Sequence, residues 1–410
     1  MRRRILVIAT LDTKESEVCY IAELIQAKAH RVLVMDVGIL GPTSIKPDIP
    51  RQTVADAAGA KLEDLPKLRR DIVMDTMGRG AAKICKKLYD EGRIDGVIGL
   101  GGNQGTMIVT TAMRALPIGV PKVVVSTVAS GNVRPYIGNK DIAMIFSVAD
   151  MLGGVNIVTR TILSNAAGAV LGMCEVGVKM PTATGKKVVG ITAFGSTNGA
   201  ASKALESLRK KGYEAVVFHA SGAGGSAMED LITQGTISGV LDLTPHELVA
   251  EIFPQACDVY APVSPGRLEA AGRSGIPQVI APGGLEYFVY GPPETVPPEY
   301  RNRKTHYHNP YNLNVRASKQ ELEITGKVMA QRLNRANGPV AVIIPLRGWS
   351  ERSSEGAPLY DPDADRMFIQ SLKQHLKDTI PVFEVNCHMN DPQLAEKAVE
   401  ILDKFMRRPC

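Results

Sequence analysis

Three glycines fall within seven residues in the stretch LGGNQGT, where Gly101, Gly102 and Gly105 lie between Leu100 and Thr106. An apolar run, DGVIGL, leads into the stretch, and a helical pattern, MIVTTAMRAL, leads out of it. It therefore reads as a strand-to-helix junction nearly bare of side chains. Without Cβ atoms the chain turns tightly, and a ligand can come close to the main-chain N–H groups. At a helix start those N–H groups and the positive end of the dipole favour phosphate or carboxylate. Asn103, Gln104 and Thr106 supply side-chain donors beside them. The stretch lacks the Gly-Lys-Ser/Thr of a Walker loop and misses the spacing of G-x-G-x-x-G. A tight turn needed only for packing is the alternative.

Two other strand ends carry similar chemistry. TLDTK places Thr10, Asp12, Thr13 and Lys14 after the first apolar run, with Thr13 expected to cap the next helix and Lys14 to reach an anion. STVASGN places Ser126, Thr127, Ser130 and Gly131 after another. Asp36 closes VLVMD, where a ribose-binding acid often lies; a solvated strand end is the other reading. Three polar strand ends on one sheet edge predict a site for an anionic small molecule.

The second half has its own candidates. In HASGAGGSAMED, Gly222, Gly224 and Ala227 fit G-x-G-x-x-A, and Asp242 follows Gly222 at the offset of a ribose contact, so a dinucleotide is one reading. His219 and Glu229 flank that loop. RKTHYHNPYNLNVR gathers Arg303, His306, His308, Asn309 and Arg316, and in an extended chain the two histidines share a side; a polar surface loop is the other reading. His219, His306 and His308 are candidate acid–base or metal groups, with Arg316 as anion anchor. They suit a hydrolase or lyase acting on a small carboxylated or phosphorylated metabolite, in the second domain or the cleft between domains. After Trp349 come Asp361, Asp363 and Asp365. Asp361 reads as a helix N-cap before Pro362, and the trio reads alternatively as a metal cluster.

The elements that must position these residues alternate almost throughout, apolar runs of strand length with helical stripes. Runs apolar on both faces belong to covered parallel sheets. The expected class is α/β, as two Rossmann-like doubly wound domains with mainly parallel sheets, spanning 1–180 and 186–410. The polar stretch MPTATGKK (180–187) is the expected linker. Thr244 and Glu247 read as a capping box around Pro245. Between Tyr287 and Asn314 the periodicity fails, and a long irregular segment in a compact domain is usually functional or disordered.

A chain of 410 residues is long for one core. Its 44% hydrophobic and 22% charged content is that of a globular protein. The net charge of +6 has no strongly basic block behind it, and aromatics make up 5%, which argues against nucleic-acid binding. Six cysteines stand singly, without zinc spacing, and read as reduced thiols. MRRRILVIATLDTK has too short an apolar run for a secretory signal, and no segment reads as a bilayer span. A cytoplasmic homo-oligomer, most simply a dimer, is expected.

Taken together, TLDTK, GLGGNQGT, STVASG, VFHASGAGGSAMED, GIPQVIAPGGLEYF, HYHNP and GWSERSSEGAPLYDPDAD resemble one family. It comprises bacterial and fungal proteins similar to the nucleotide-binding N-terminal region of the tomato mosaic virus resistance protein. The resemblance runs from Arg4 to about Met406. It implies two Rossmann-like domains and ATP binding in the first, with Mg²⁺ as its usual companion and the phosphates at Gly101, Gly102, Gln104, Gly105 and Thr106. The plant relative's inhibitory role suggests a third reading, a module that only captures partners.

Overall fold

A computed structural model describes residues 2–178, 180, 186–256, 259–260 and 263–407. Most of the expected linker, 181–185, lies outside the described residues. The chain divides into two compact units, Met1–Met180 and Pro181–Cys410.

The first unit runs β1 (Arg4–Ala9), α1 (Leu11–Ala27), β2 (Arg31–Asp36), α2 (Arg51–Ala58), α3 (Arg70–Asp90) and β3 (Gly96–Gly101). It continues α4 (Asn103–Arg114), β4 (Lys122–Ser126), α5 (Arg134–Ile137), β5 (Ala143–Phe146) and α6 (Ile157–Val176). Its five strands pair in the order β2-β1-β3-β4-β5, all parallel. Alternation along β1 serves two cores. Leu6 and Ile8 pack with Val54 of α2, Met77 of α3 and Val109 of α4, while Ile5 and Val7 pack with Ile21 of α1 and Leu163 of α6. Helices on both faces explain why the strands read as continuously apolar. The chain winds outward in opposite senses from β1 and β3, so the switch point of the sheet lies between their carboxyl ends.

The second unit runs β6 (Val188–Ala193), α7 (Asn198–Lys210), β7 (Glu214–His219), α8 (Ala223–Thr233), β8 (Gly239–Asp242), α9 (Glu247–Ile252), α10 (Ala270–Ser274) and β9 (Gln278–Ile280). Then come β10 (Tyr287–Tyr290), β11 (Thr305–Asn309), β12 (Asn312–Arg316), α11 (Lys319–Leu333), β13 (Val340–Pro345), α12 (Pro362–His375), β14 (Val382–Val385) and α13 (Pro392–Arg407). Six strands form a second parallel sheet, β14-β13-β9-β8-β6-β7, on the same doubly wound plan. Both units are thus Rossmann-like α/β domains.

Three local expectations need correction. The segment without periodicity is not irregular: β10, β12 and β11 form an antiparallel sheet, with Tyr287 opposite Arg316 and His306 opposite Asn314. Its proline turns and short strands hide the period of two. Thr244 and Glu247 form no capping box. Thr244 bonds Thr197 at 2.8 Å instead, and Glu247 turns into a buried ion cluster. Among the described residues one helix, α6, is long and apolar enough to cross a membrane by length and composition. In this fold it lends Leu163, Ala166, Val170 and Leu171 to the first unit's core.

Candidate functional site

Thr10, after β1, and Gly101 to Gln104, running from the last residue of β3 into α4, stand at the switch point of the first sheet, the place where doubly wound folds hold ligands. The three glycines there do different work. A Cβ on Gly101 would overlap the main-chain nitrogen of Thr106, so packing demands that glycine. A Cβ on Gly102 would meet only Thr127 Oγ1, at 3.8 Å, and one on Gly105 would make ordinary contacts with Leu100 O and Thr10. The φ of Gly102 is −75°, open to any residue, and α4 begins with no side-chain cap there. The cradle is therefore more open than packing requires. Gly101→Ala is expected to lower the thermal midpoint by several degrees and Gly102→Ala to leave it nearly unchanged, a contrast that differential scanning calorimetry reads directly.

The other expected residues divide into free and engaged groups. Gln104 is exposed and accepts from Arg70 at 3.3 Å; Asn103 accepts from the Tyr136 hydroxyl at 2.9 Å. Thr127, Ser130 and Gly131 lie in the loop after β4, with Ser130 and Gly131 exposed. Thr106 and Ser126 are fully buried and share a 2.6 Å hydrogen bond, tying α4 to β4. Thr13 lies inside α1 rather than capping it, its hydroxyl 2.9 Å from that of Thr10, the N-cap residue. Asp12 accepts from the Ile39 and Leu40 amides, holding the loop after β2. Asp36 accepts from the Leu11 and Gly38 amides and pairs with Arg51 at 2.6 Å, so both its oxygens are engaged within the fold. Lys14 is buried. Its ammonium donates to Met151 O at 2.6 Å and Thr13 O at 3.2 Å, and it has no carboxylate partner among the described residues.

In the second unit the glycine loop looks like a phosphate site in sequence but is filled by the protein itself. Gly225 N, at the start of α8, donates to Glu247 at 2.9 Å. Asp242 receives two bonds from Arg267, at 2.6 and 2.8 Å, and another from Thr192 at 2.6 Å. Arg267 also pairs with Glu247 and Glu229, both at 3.1 Å. Burial raises the Glu229 carboxyl despite Arg267 beside it, and the surrounding carboxylates hold the Arg267 guanidinium well above its usual value. A pyrophosphate and a ribose would have to displace this cluster, so the dinucleotide reading falls.

The histidines do come together. His219, at the end of β7, and His306 and His308 of β11 line one cavity of about 570 Å³ with Phe194, Asn314 and Arg352. Burial, with Arg352 and His308 nearby, pushes His306 below its ordinary value. Arg316, named with them in sequence, goes elsewhere: it is buried, pairs with Asp365 and donates to Asp361 O at 3.1 Å. Asp361 caps α12 through the Ala364 amide at 3.1 Å. Among the described residues no group of three or more His, Cys, Asp or Glu is placed to hold a metal. Sequence reasoning missed Arg352 and Phe194. Arg352 sat unremarked in RGWSERSSEG, and nothing in the spacing marks Phe194, whose ring lies 5.2 Å from that of His219.

Residues 3–179 match the family described as "Uncharacterised protein family (UPF0261) N-terminal domain", and residues 186–406 match its C-terminal domain. A UPF0261 protein of Clostridium tetani is 43% identical over 98% of this chain and all of its own length. The ToMV resistance protein Tm-1(GCR237) of Solanum lycopersicum is 34% identical over 98% of this chain, which spans 55% of that longer protein. Among solved structures, a UDP-GlcNAc 2-epimerase of Methanocaldococcus jannaschii is 9% identical, with a TM-score of 0.23 over all of this chain and 94% of its own. That likeness is too distant to bear on a ligand. With both halves matched in order and a full-length bacterial relative at this identity, the chain belongs to the UPF0261 family.

Proposed function

We propose that the first unit binds the phosphate groups of a nucleotide, ATP with Mg²⁺, at the start of α4. The observation that carries this reading is the pair Gly102 and Gly105, whose missing side chains leave space at the switch point that packing does not need. Main-chain amides at an uncapped helix start offer the phosphates hydrogen bonds and a favourable dipole. Thr127, whose hydroxyl is the atom nearest the space beside Gly102, borders the opening, and Lys14 supports the reading as a buried cation with no carboxylate partner among the described residues. No carboxylate trio for Mg²⁺ lies among the described residues, so the ion would travel with the phosphates. Titration calorimetry with ATP and Mg²⁺ tests the reading on the wild type and Gly102→Val. Saturable heat in the first and its loss in the second is the expected pair; equal heats from both proteins count against the cradle.

A further inference from the structure

We infer that the histidine-lined cavity of the second unit is a second ligand site, for a small molecule carrying both an acidic group and a hydroxyl. The inference rests on the second unit alone and stands or falls separately from the nucleotide site.

Several parts of the chain converge on the cavity, among them the turn after β6 (Phe194, Ser196), the end of β7 (His219), β11 with β12 (His306, His308, Asn314), and the loop after β13 (Glu351, Arg352). Its volume, about 570 Å³, suits a small metabolite. The site is built rather than incidental. The Arg352 guanidinium lies over the Tyr287 ring at 5.2 Å, and the Tyr287 hydroxyl is fixed by Ser196 at 3.0 Å. Phe194 packs against His219 at 5.2 Å and against Tyr260 at 5.8 Å, giving an aromatic wall.

Two groups are left unanswered in that setting. Arg352 has one weak side-chain hydrogen bond, to His308 Nδ1 at 3.4 Å, and no carboxylate partner among the described residues. A half-buried guanidinium with most of its donors unused suits a carboxylate or phosphate, which it can grip with two parallel bonds. Asn314 is 1% exposed, and its Oδ1 has no hydrogen-bond partner. A buried acceptor left unmet costs free energy that a ligand O–H would recover. The acidic group therefore belongs at Arg352 and His308, and the hydroxyl at Asn314. His306, opposite Asn314 in the β11–β12 ladder, is the ring placed to exchange a proton with that hydroxyl.

Calorimetry on the full chain tests this with D-glycerate and L-malate as carboxylate probes and sn-glycerol 3-phosphate as the phosphate probe. Propionate and succinate, which lack the hydroxyl, and glycerol, which lacks the acid, are the controls. At least one hydroxylated acid is expected to bind at concentrations up to about 10 mM, and more tightly than its control. Whether glycerate and malate or glycerol phosphate binds better identifies the acidic group. Arg352→Gln is expected to weaken that probe about 10-fold or more, and Asn314→Leu to erase its advantage over the control. Gly102→Val should bind it normally. Arg352 is only half-buried where Asn314 is buried, so its variant remains informative if Asn314→Leu folds poorly. No binding by any hydroxylated acid, undiminished binding by Arg352→Gln, or equal binding of the controls would overturn the inference.

Discussion

Arg267→Met is expected to destabilise the second unit by about 3–5 kcal/mol, lowering its thermal midpoint on the order of 10 °C. Arg267 is 2% exposed and is the common partner of Asp242, Glu247 and Glu229. Methionine fills much of the volume but leaves three carboxyl groups facing one another away from water. Each must then stay charged without a partner or take up a proton at a cost. The sign of the pH dependence follows. A carboxyl whose folded pKa is raised contributes stability that is full below its unfolded pKa and is lost as pH rises through the folded value. Glu229 is already raised in the intact cluster. Without Arg267, whose charge opposes that rise, it goes higher still, so the deficit should be small near pH 4 and grow toward neutrality. Urea titrations of both proteins across that range measure it. A deficit that does not change with pH would show that lost packing, rather than unpaired charge, is the cause. Adding Asp242→Asn and Glu247→Gln to the variant should recover part of the loss at neutral pH.

Gly102→Asp is expected to abolish nucleotide binding, by about 100-fold or more, while leaving the fold as stable as before or slightly more so. Gly102 is the N-cap of α4 and makes no side-chain cap. Aspartate is among the best N-cap residues, and its carboxylate would accept from the same amides that the proposed phosphate would use. The protein itself supplies the precedent, since Glu247 occupies the amide at the start of α8 in this manner. The variant therefore separates two roles that usually move together: the helix end gains its cap, and the ligand loses its seat. Calorimetry for binding and thermal unfolding for stability should diverge. Parallel losses of both would mean that Gly102 is a packing residue like Gly101.

The α/β plan was legible because apolar runs and helical stripes alternate with few interruptions, and the strands are covered on both faces. The capping role of Asp361 was legible from local chemistry alone, as Asp before Pro at a helix start. What sequence could not give was the partner of each polar group. Glu247, three residues after a threonine, looks like half of a capping box, but the buried Arg267 competes for it and wins. The Gly222 loop fits a phosphate fingerprint because small residues serve equally for a ligand and for close packing: Gly224 is glycine to clear the His219 carbonyl. His306 and His308 were visible as neighbours in an extended chain. Arg352, 44 residues beyond His308, meets them only through the fold. Arg316 was read as their anchor from its nearness in sequence, yet it points to Asp365.

The central claim is that bare main-chain amides at Gly102–Gly105 hold phosphate, and a crystal soaked with ATP and Mg²⁺ tests it most directly. Phosphate oxygens are expected about 3 Å from the main-chain nitrogens of Asn103, Gln104 and Gly105, with the start of α8 still occupied by Glu247. Nucleotide density elsewhere in the protein, with the α4 cradle empty at saturating ATP, would contradict it.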